Sequence, residues 1–262
     1  MGPGAADNGH DPRSGGAQGV ESMLSRMLET SAAAPAKGRD GNQTLARGLR
    51  VLLAIADAKD GLTVQQVSEL LGVHRSIAYR LLQTLADFGL VARNRDGAYT
   101  PGARLATLAE AYLPTLRDVA RPVMQALADR LQSTVSLFVE QGDEAVAIVL
   151  VEPTTATHHI AFRPGMRTSL AAGAAAYAIL ASGPAVADEP AQAAEARERG
   201  YARSHGEIEA GAYGVAAWIP IGEIGTRACL NLITYREDIA DGAGPVMRRA
   251  ADKVGRLLRQ AE

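Results

Sequence analysis

The chain has 262 residues, enough for one large or two modest domains with cores of their own. Its 47% hydrophobic content against 21% charged excludes a wholly disordered chain, and its single cysteine, Cys229, excludes an intramolecular disulfide and points to a reducing compartment. The net charge of −2 hides an asymmetry: residues 44–132 hold 11 Lys+Arg against 8 Asp+Glu and residues 133–262 hold 12 against 16, an order that suits a DNA-binding part followed by a part with another task.

Residues 1–42 are rich in Gly, Ala, Pro, Ser and Asp without a sustained period, and read as a disordered tail. Within them Val20 to Leu28 (VESMLSRML) has amphipathic spacing for a turn or two. The first residues lack the apolar core of a signal peptide. No run reaches the roughly 18 apolar residues of a membrane span, and the nearest, Ser169 to Ser182, is broken by Gly173. The expectation is a cytoplasmic protein with no membrane partner.

Thr44 to Ala58 places Leu45, Leu49, Leu52, Leu53 and Ala56 at helical spacing, with Thr44 as N-cap. Asp60-Gly61 ends that helix, and Leu62 is extended. Thr63-Val-Gln-Gln66 has the spacing of a capping box and opens a second helix with Val67, Leu70 and Leu71 inward. Gly72 follows where a left-handed residue is needed, and Val73 returns to the core. Short helix, glycine, apolar residue and another helix is the pattern of a helix-turn-helix.

The third helix is expected over Arg75 to Phe88, with Ile77, Ala78, Leu81, Leu82, Leu85 and Phe88 buried. Its other face carries Arg75, Ser76, Tyr79, Arg80 and Gln83, with Thr84, groups that donate to phosphates and base edges. A solvated amphipathic helix has a similar face; the preceding short helix, the Gly turn and the hairpin that follows favour DNA. Leu90 to Ala92 and Ala98 to Thr100 flank that hairpin, turned at Asp96-Gly97. Arg93 and Arg95 at its tip are candidates for the backbone or minor groove, or are merely solvated. Residues 43–102 thus read as a winged helix-turn-helix.

Leu105, Leu108, Ala109 and Tyr112 mark a linker helix over 103–116, broken at Pro114. A second segment to Leu131 is expected to restart near Ala120, with Pro122 in its first turn. Residues 117–262 then form a second domain. Strands are expected at Thr134 to Glu140, Ala145 to Glu152, Thr157 to Phe162, Gly214 to Pro220 and Ala228 to Thr234, with a turn over 222–225. Helices are expected at Leu170 to Ser182, Pro184 to Arg199 and Asp241 to Gln260, and Ser204 to Glu207 reads as a polar loop. The class is α+β, with a central antiparallel sheet.

With this order in view, the chain resembles the IclR family of bacterial transcription regulators over about residues 44–260. RGLRVLLAI at Arg47 to Ile55, GVHRSIAYRLLQTLADFGLV at Gly72 to Val91, and the Asp96-Gly-Ala-Tyr wing carry the first half of the likeness. Arg163-Pro-Gly with Ala171-Ala-Gly-Ala-Ala, then Arg199-Gly-Tyr-Ala and Glu207-Ile-Glu-Ala-Gly, carry the second. The resemblance implies a GAF-like effector domain, a homodimer or dimer of dimers, a double-stranded and palindromic DNA operator, and a small-molecule effector. It implies a pocket near Gly173 and Ala174, bordered by Glu207 and a facing strand, with Trp218, Cys229 and Asn231 as further lining candidates. No cofactor and no metal are expected.

Other readings of the same residues stand beside this one. Cys229 on an apolar strand reads as a packing residue, and Trp218 as either core or lining. His158 and His159 are adjacent on an expected strand and face opposite ways, so they do not share an ion. His205 and Glu207 are close enough in sequence to face one another. An enzyme built on the second domain, with the helix-turn-helix as an accessory module, is the alternative, and it lacks a motif for a nucleophile with its base.

Overall fold

The computed structural model describes residues 42–155, 164–221 and 225–261, and the chain divides into two compact units, 1–106 and 107–262. The expected strand over 157–162, the His158-His159 pair and the Gly222–Glu223–Ile224 part of the expected turn lie outside the described residues, as does the tail up to residue 41.

In the first unit, α1 spans Gln43–Asp57. Its N-cap is Asn42 rather than Thr44: the Asn42 side chain accepts from the Thr44 N–H at 3.0 Å and the Leu45 N–H at 3.1 Å, so Thr44 already supplies one of the orphan donors of the first turn. The helix buries Gly48, Val51 and Ile55. Of the residues noted for their helical spacing, Leu52 packs against the core, while Leu45, Leu49 and Leu53 face out at 61%, 49% and 58% exposure. Both faces are apolar at helical spacing, and the periodicity that identifies the helix does not choose between them.

α2 spans Val64–Leu71 and carries the full capping box: Thr63 accepts from the Gln66 backbone, and the Gln66 side chain accepts from the Thr63 N–H at 2.8 Å. Gly72 closes it in the left-handed region at φ 61°, where a side chain is strained. α3 spans Arg75–Asp87 and buries Ala78, Leu81, Leu82 and Leu85. Ile77 and Phe88, expected inward, are exposed. At about 100° per residue both sit at the margin of the buried arc. β1, Val91–Arg93, pairs antiparallel with β2, Tyr99–Pro101. Gly97 turns the hairpin at φ 83°, and Asn94 Oδ1 accepts from the N–H groups of Asp96 and Ala98. Leu62 adds a bridge to Tyr99, so the wing, the helix pair and α1 share one core.

α4 spans Arg104–Glu110, shorter than the linker helix expected, and buries none of its residues. α5 spans Pro114–Leu131 with Pro114 at its start, so an expected boundary after residue 116 falls inside this helix. The restart expected near Ala120 does not occur. Pro122 lies within a continuous helix, because Leu116, Ala120, Val123, Met124 and Leu127 on both sides of it are buried in one core.

The second unit continues with β3 (Thr134–Gln141), β4 (Glu144–Val151), β5 (Arg167–Ser169), α6 (Ala174–Ala181), α7 (Ala191–Arg199), β6 (Ala202–His205), β7 (Tyr213–Trp218), β8 (Ala228–Thr234) and α8 (Glu237–Ala261). The six strands form one sheet in the order β5-β4-β3-β8-β7-β6, every pair antiparallel. α5 and α8 cover one face over Leu137, Leu230 and Leu232, with Met247 of α8 buried against them. α6 and α7 cover the other over Phe138, Ala147 and Ala216. The α+β class is as expected, with local differences. β5 falls in a stretch given no element from sequence, α6 and α7 are shorter than their expected helices, and Ser204 and His205, expected in a loop, pair with Gly214 and Tyr213 as part of β6. Small residues let Ala174 and Gly214 approach Ser204 closely, which draws this polar stretch into the sheet.

Candidate functional site

In the first unit the relevant surface is the start of α3. The turn at Gly72 and the N-cap His74, whose Nδ1 accepts from the Ser76 N–H at 3.3 Å, set the direction in which the helix begins. The buried line Ala78, Leu81, Leu82, Leu85 fixes its rotation. Arg75, Ser76, Tyr79, Arg80 and Gln83 are all exposed as a result. Among the described residues neither Arg75 nor Arg80 forms an ion pair, so both guanidinium groups are free to donate. Gln83 donates to Asp87 at 2.8 Å and Ser76 shares a hydrogen with His74 at 2.9 Å; both bonds lie within or next to the helix.

The two wing arginines differ. Arg93 folds back: its guanidinium lies 5.9 Å from the Tyr99 ring centre, and its Nε donates to the Gly97 carbonyl at 3.4 Å. Arg95 at the tip is exposed. The stacked Arg93 therefore stiffens the hairpin as well as charging it.

In the second unit a small cavity, partly open to solvent, lies between the N-terminus of α6 and the sheet. Gly173, Ala174, Glu207 and Asn231, four of the six residues expected there, line it. Trp218 and Cys229 do not. They sit opposite each other in the β7–β8 register, under the body of α6, where the Cys229 Sγ lies 3.6 Å from the Ala175 carbonyl. Asn231 is two residues further along, beyond the point where α6 begins. Burial pushes the Cys229 thiol well up, so it stays protonated and is no nucleophile.

The geometry at the mouth is specific. Glu207 Oε2 accepts from the Gly173 N–H at 2.8 Å and from the Tyr177 hydroxyl at 2.6 Å, and Ser204 Oγ accepts from the Ala174 N–H at 3.0 Å. These are first amides of α6, where an acceptor is favoured by both hydrogen bonding and the helix dipole. Burial, then the bond to Glu207, pushes Tyr177 up to about 12, so it is a neutral donor. His205 stacks on Tyr213 with ring centres 4.0 Å apart, so the facing of His205 and Glu207 does not form. The walls are apolar, from Phe138, Ile208 and Ile233.

Deeper in, Asn231 Oδ1 is buried without a partner, and so is Ser136 Oγ, its register partner on β3. Gly214 is packed too closely beside Asn231 to carry a side chain: a Cβ there would stand 2.7 Å from Ser204 Oγ and 3.1 Å from the Ala174 Cβ. Ser204, Tyr177 and Gly214 were not anticipated from sequence. The lone tyrosine in an Ala-rich helix was the available signal for one of them. Among the described residues no group of three or more His, Cys, Asp or Glu side chains is placed to hold a metal ion. No described helix is long and apolar enough to cross a membrane.

Two family models match the chain, the IclR helix-turn-helix domain over residues 44–95 and the bacterial transcriptional regulator IclR C-terminal over residues 113–191. The chain is 29% identical over 141 residues to the HTH-type transcriptional regulator KipR of Bacillus subtilis, covering 53% of this chain and 56% of that one. It is 30% identical over 128 residues to the transcriptional repressor IclR of Escherichia coli, covering 47% and 46%. These sequence matches span about half the length of the relatives concerned. In fold, it is similar to the Thermotoga maritima IclR crystal structure, with a TM-score of 0.64 at 24% identity over 82% of this chain and 98% of that one. An IclR homologue from Microbacterium hydrocarbonoxydans, complexed with 4-hydroxybenzoate, gives a TM-score of 0.67 at 24% identity over 83% and 100%.

Proposed function

The chain belongs to the IclR family of bacterial transcriptional regulators, and from that premise we propose that it binds a DNA operator through α3 and the wing, under the control of a small molecule held in the cavity of the second unit. The observation that carries the first half is the exposed start of α3. Arg75, Ser76, Tyr79 and Arg80 share it, the two cations in no ion pair among the described residues, on a helix whose opposite face is locked in the core. Arg75 and Arg80 thus present donors to base edges and phosphates without first giving up an ion pair. Its charge is modest, so one copy neutralises few phosphates, and a homodimer or dimer of dimers on a palindromic operator supplies the rest.

The second half is supported by a cavity with apolar walls and a few converging polar groups, the make-up of a small-molecule site. The ligand in the Microbacterium homologue is a fold-level parallel. An enzyme on the second unit is disfavoured by the buried, protonated Cys229.

The test is fluorescence anisotropy on an operator selected from genomic fragments by the purified protein. Arg75→Ala and Arg80→Ala should each weaken binding by about 1–3 kcal/mol, roughly five- to a hundredfold, with the thermal unfolding curve unchanged. Full affinity in both variants would remove α3 as the reading helix.

A further inference from the structure

The cavity holds its own anion. The backbone donors at the start of α6, where a ligand carboxylate would sit, are already satisfied by Glu207 and Ser204. A second carboxylate, Glu209, also lines the cavity, and the described residues around it include no Lys, Arg or His. Arg203, which reaches the ring of Tyr213, is held by Asp241 at 2.6 Å. Among the described residues an incoming anion therefore meets two carboxylates and no cation, in a site whose walls weaken screening.

The unmet demand in the cavity is of the opposite kind. Asn231 is only 4% exposed, and its Oδ1 is an acceptor with no donor. It lines the cavity together with Gly214, where a Cβ would stand 3.8 Å from Asn231 Oδ1 and no side chain fits against Ser204. A buried acceptor left unsatisfied is costly, and a ligand that brings a donor recovers that cost on binding.

On the reading that this cavity is the effector site, we propose that it selects an uncharged or cationic small molecule with an apolar body and a hydrogen-bond donor for Asn231, and that it rejects carboxylates because Glu207 fills the anion position from within. Glu207 acts as a tethered substitute for a ligand carboxylate, carried on the segment between β6 and β7. Tyr177 holds it there through the same oxygen that Gly173 uses.

Three probes of one shape test this: 4-hydroxybenzamide, 4-hydroxybenzylamine and 4-hydroxybenzoate. All carry the same hydroxyl donor and differ in charge. Calorimetry on the full-length protein should give the amide and the amine at least tenfold tighter binding than the carboxylate. Glu207→Gln should bring the carboxylate to within about threefold of the amide, and Asn231→Leu should weaken amide and amine at least tenfold while melting as the parent does. A carboxylate that binds the parent as well as the amide does, or a preference unchanged in Glu207→Gln, overturns the proposal. Gly214→Ala separates that failure from failure of the site: its methyl lands against Ser204 and narrows the cavity. Binding of every probe undiminished in that variant, or no saturable binding by any probe to the parent, overturns the effector-site reading and the inference with it. Loss of binding in Gly214→Ala, with the carboxylate preferred by the parent, overturns the inference alone.

Discussion

Single side chains decide how the mouth of the cavity behaves. Tyr177 donates to Glu207 and is buried, and its ionisation is pushed up to about 12 from an ordinary 10. A raised pKa in the folded state means a stabilising contribution that is complete below about pH 10 and is lost as pH rises through about 12. Ultraviolet titration should therefore show one of the seven tyrosines ionising last, and Tyr177→Phe should remove that step. A titration in which the last step survives the substitution would show that another tyrosine carries it. Residue-level legibility was uneven. Gly173, Ala174, Glu207 and Asn231 could be named because the resemblance to the IclR family, carried here by the Ala171-Ala-Gly-Ala-Ala and Glu207-Ile-Glu-Ala-Gly segments, implies a pocket at that place. Cys229 and Trp218 were named beside them, yet α6 covers their part of the sheet. Where a helix begins relative to a strand across the layer is a tertiary fact that local pattern does not contain.

At the level of elements, the recognition helix depends on its predecessor. The Thr63–Gln66 capping box and the left-handed Gly72 fix both ends of α2, so α2 delivers α3 at a set angle. Thr63→Ala removes the acceptor for the Gln66 N–H and should cost about 1 kcal/mol of stability in the first unit, read as a lower denaturation midpoint with an unchanged slope. No loss would mean that the Gln66 half of the box suffices alone. Signals of this kind were legible because each states a backbone requirement: a cap, a positive φ, a tight turn at Asp96-Gly97. The course of α5 was not. Proline forbids one hydrogen bond, and sequence alone reads that as a break, but the apolar residues flanking Pro122 pack in one core and hold the helix through it. Likewise β6 was missed because Arg203, Ser204 and His205 have little strand propensity, and their pairing with β7 comes from close approach to Gly214.

For the whole molecule, the exposed row Leu45, Leu49, Leu53 bears on assembly. Residues four apart on one side of a helix form a seam, and apolar seams left in water favour association. In a protein read as a homodimer, this row in the first unit is where a second copy gains most from contact. Leu49→Glu, at the middle of the row and away from the buried face, should leave the fold intact and lower the mass seen by light scattering, or at least weaken operator binding tenfold. Parent-like mass and affinity together would place the contacts elsewhere. The sequence pattern singled out these leucines by their helical spacing without assigning them a side, because burial inside one chain and burial between two leave the same trace in a single sequence.

Gly214 also bears on how such a regulator changes over generations. β7 passes close to Ser204 because one methyl group is missing from it, and a single base change in a glycine codon supplies that methyl. The added carbon would press on Ser204 and so on the first amide of α6, altering cavity shape and helix anchorage in one step. On the function proposed above, specificity for the effector is then open to revision by one mutation while α3 stays as it is, which lets a lineage reassign the signal without rewriting the genes that answer to it.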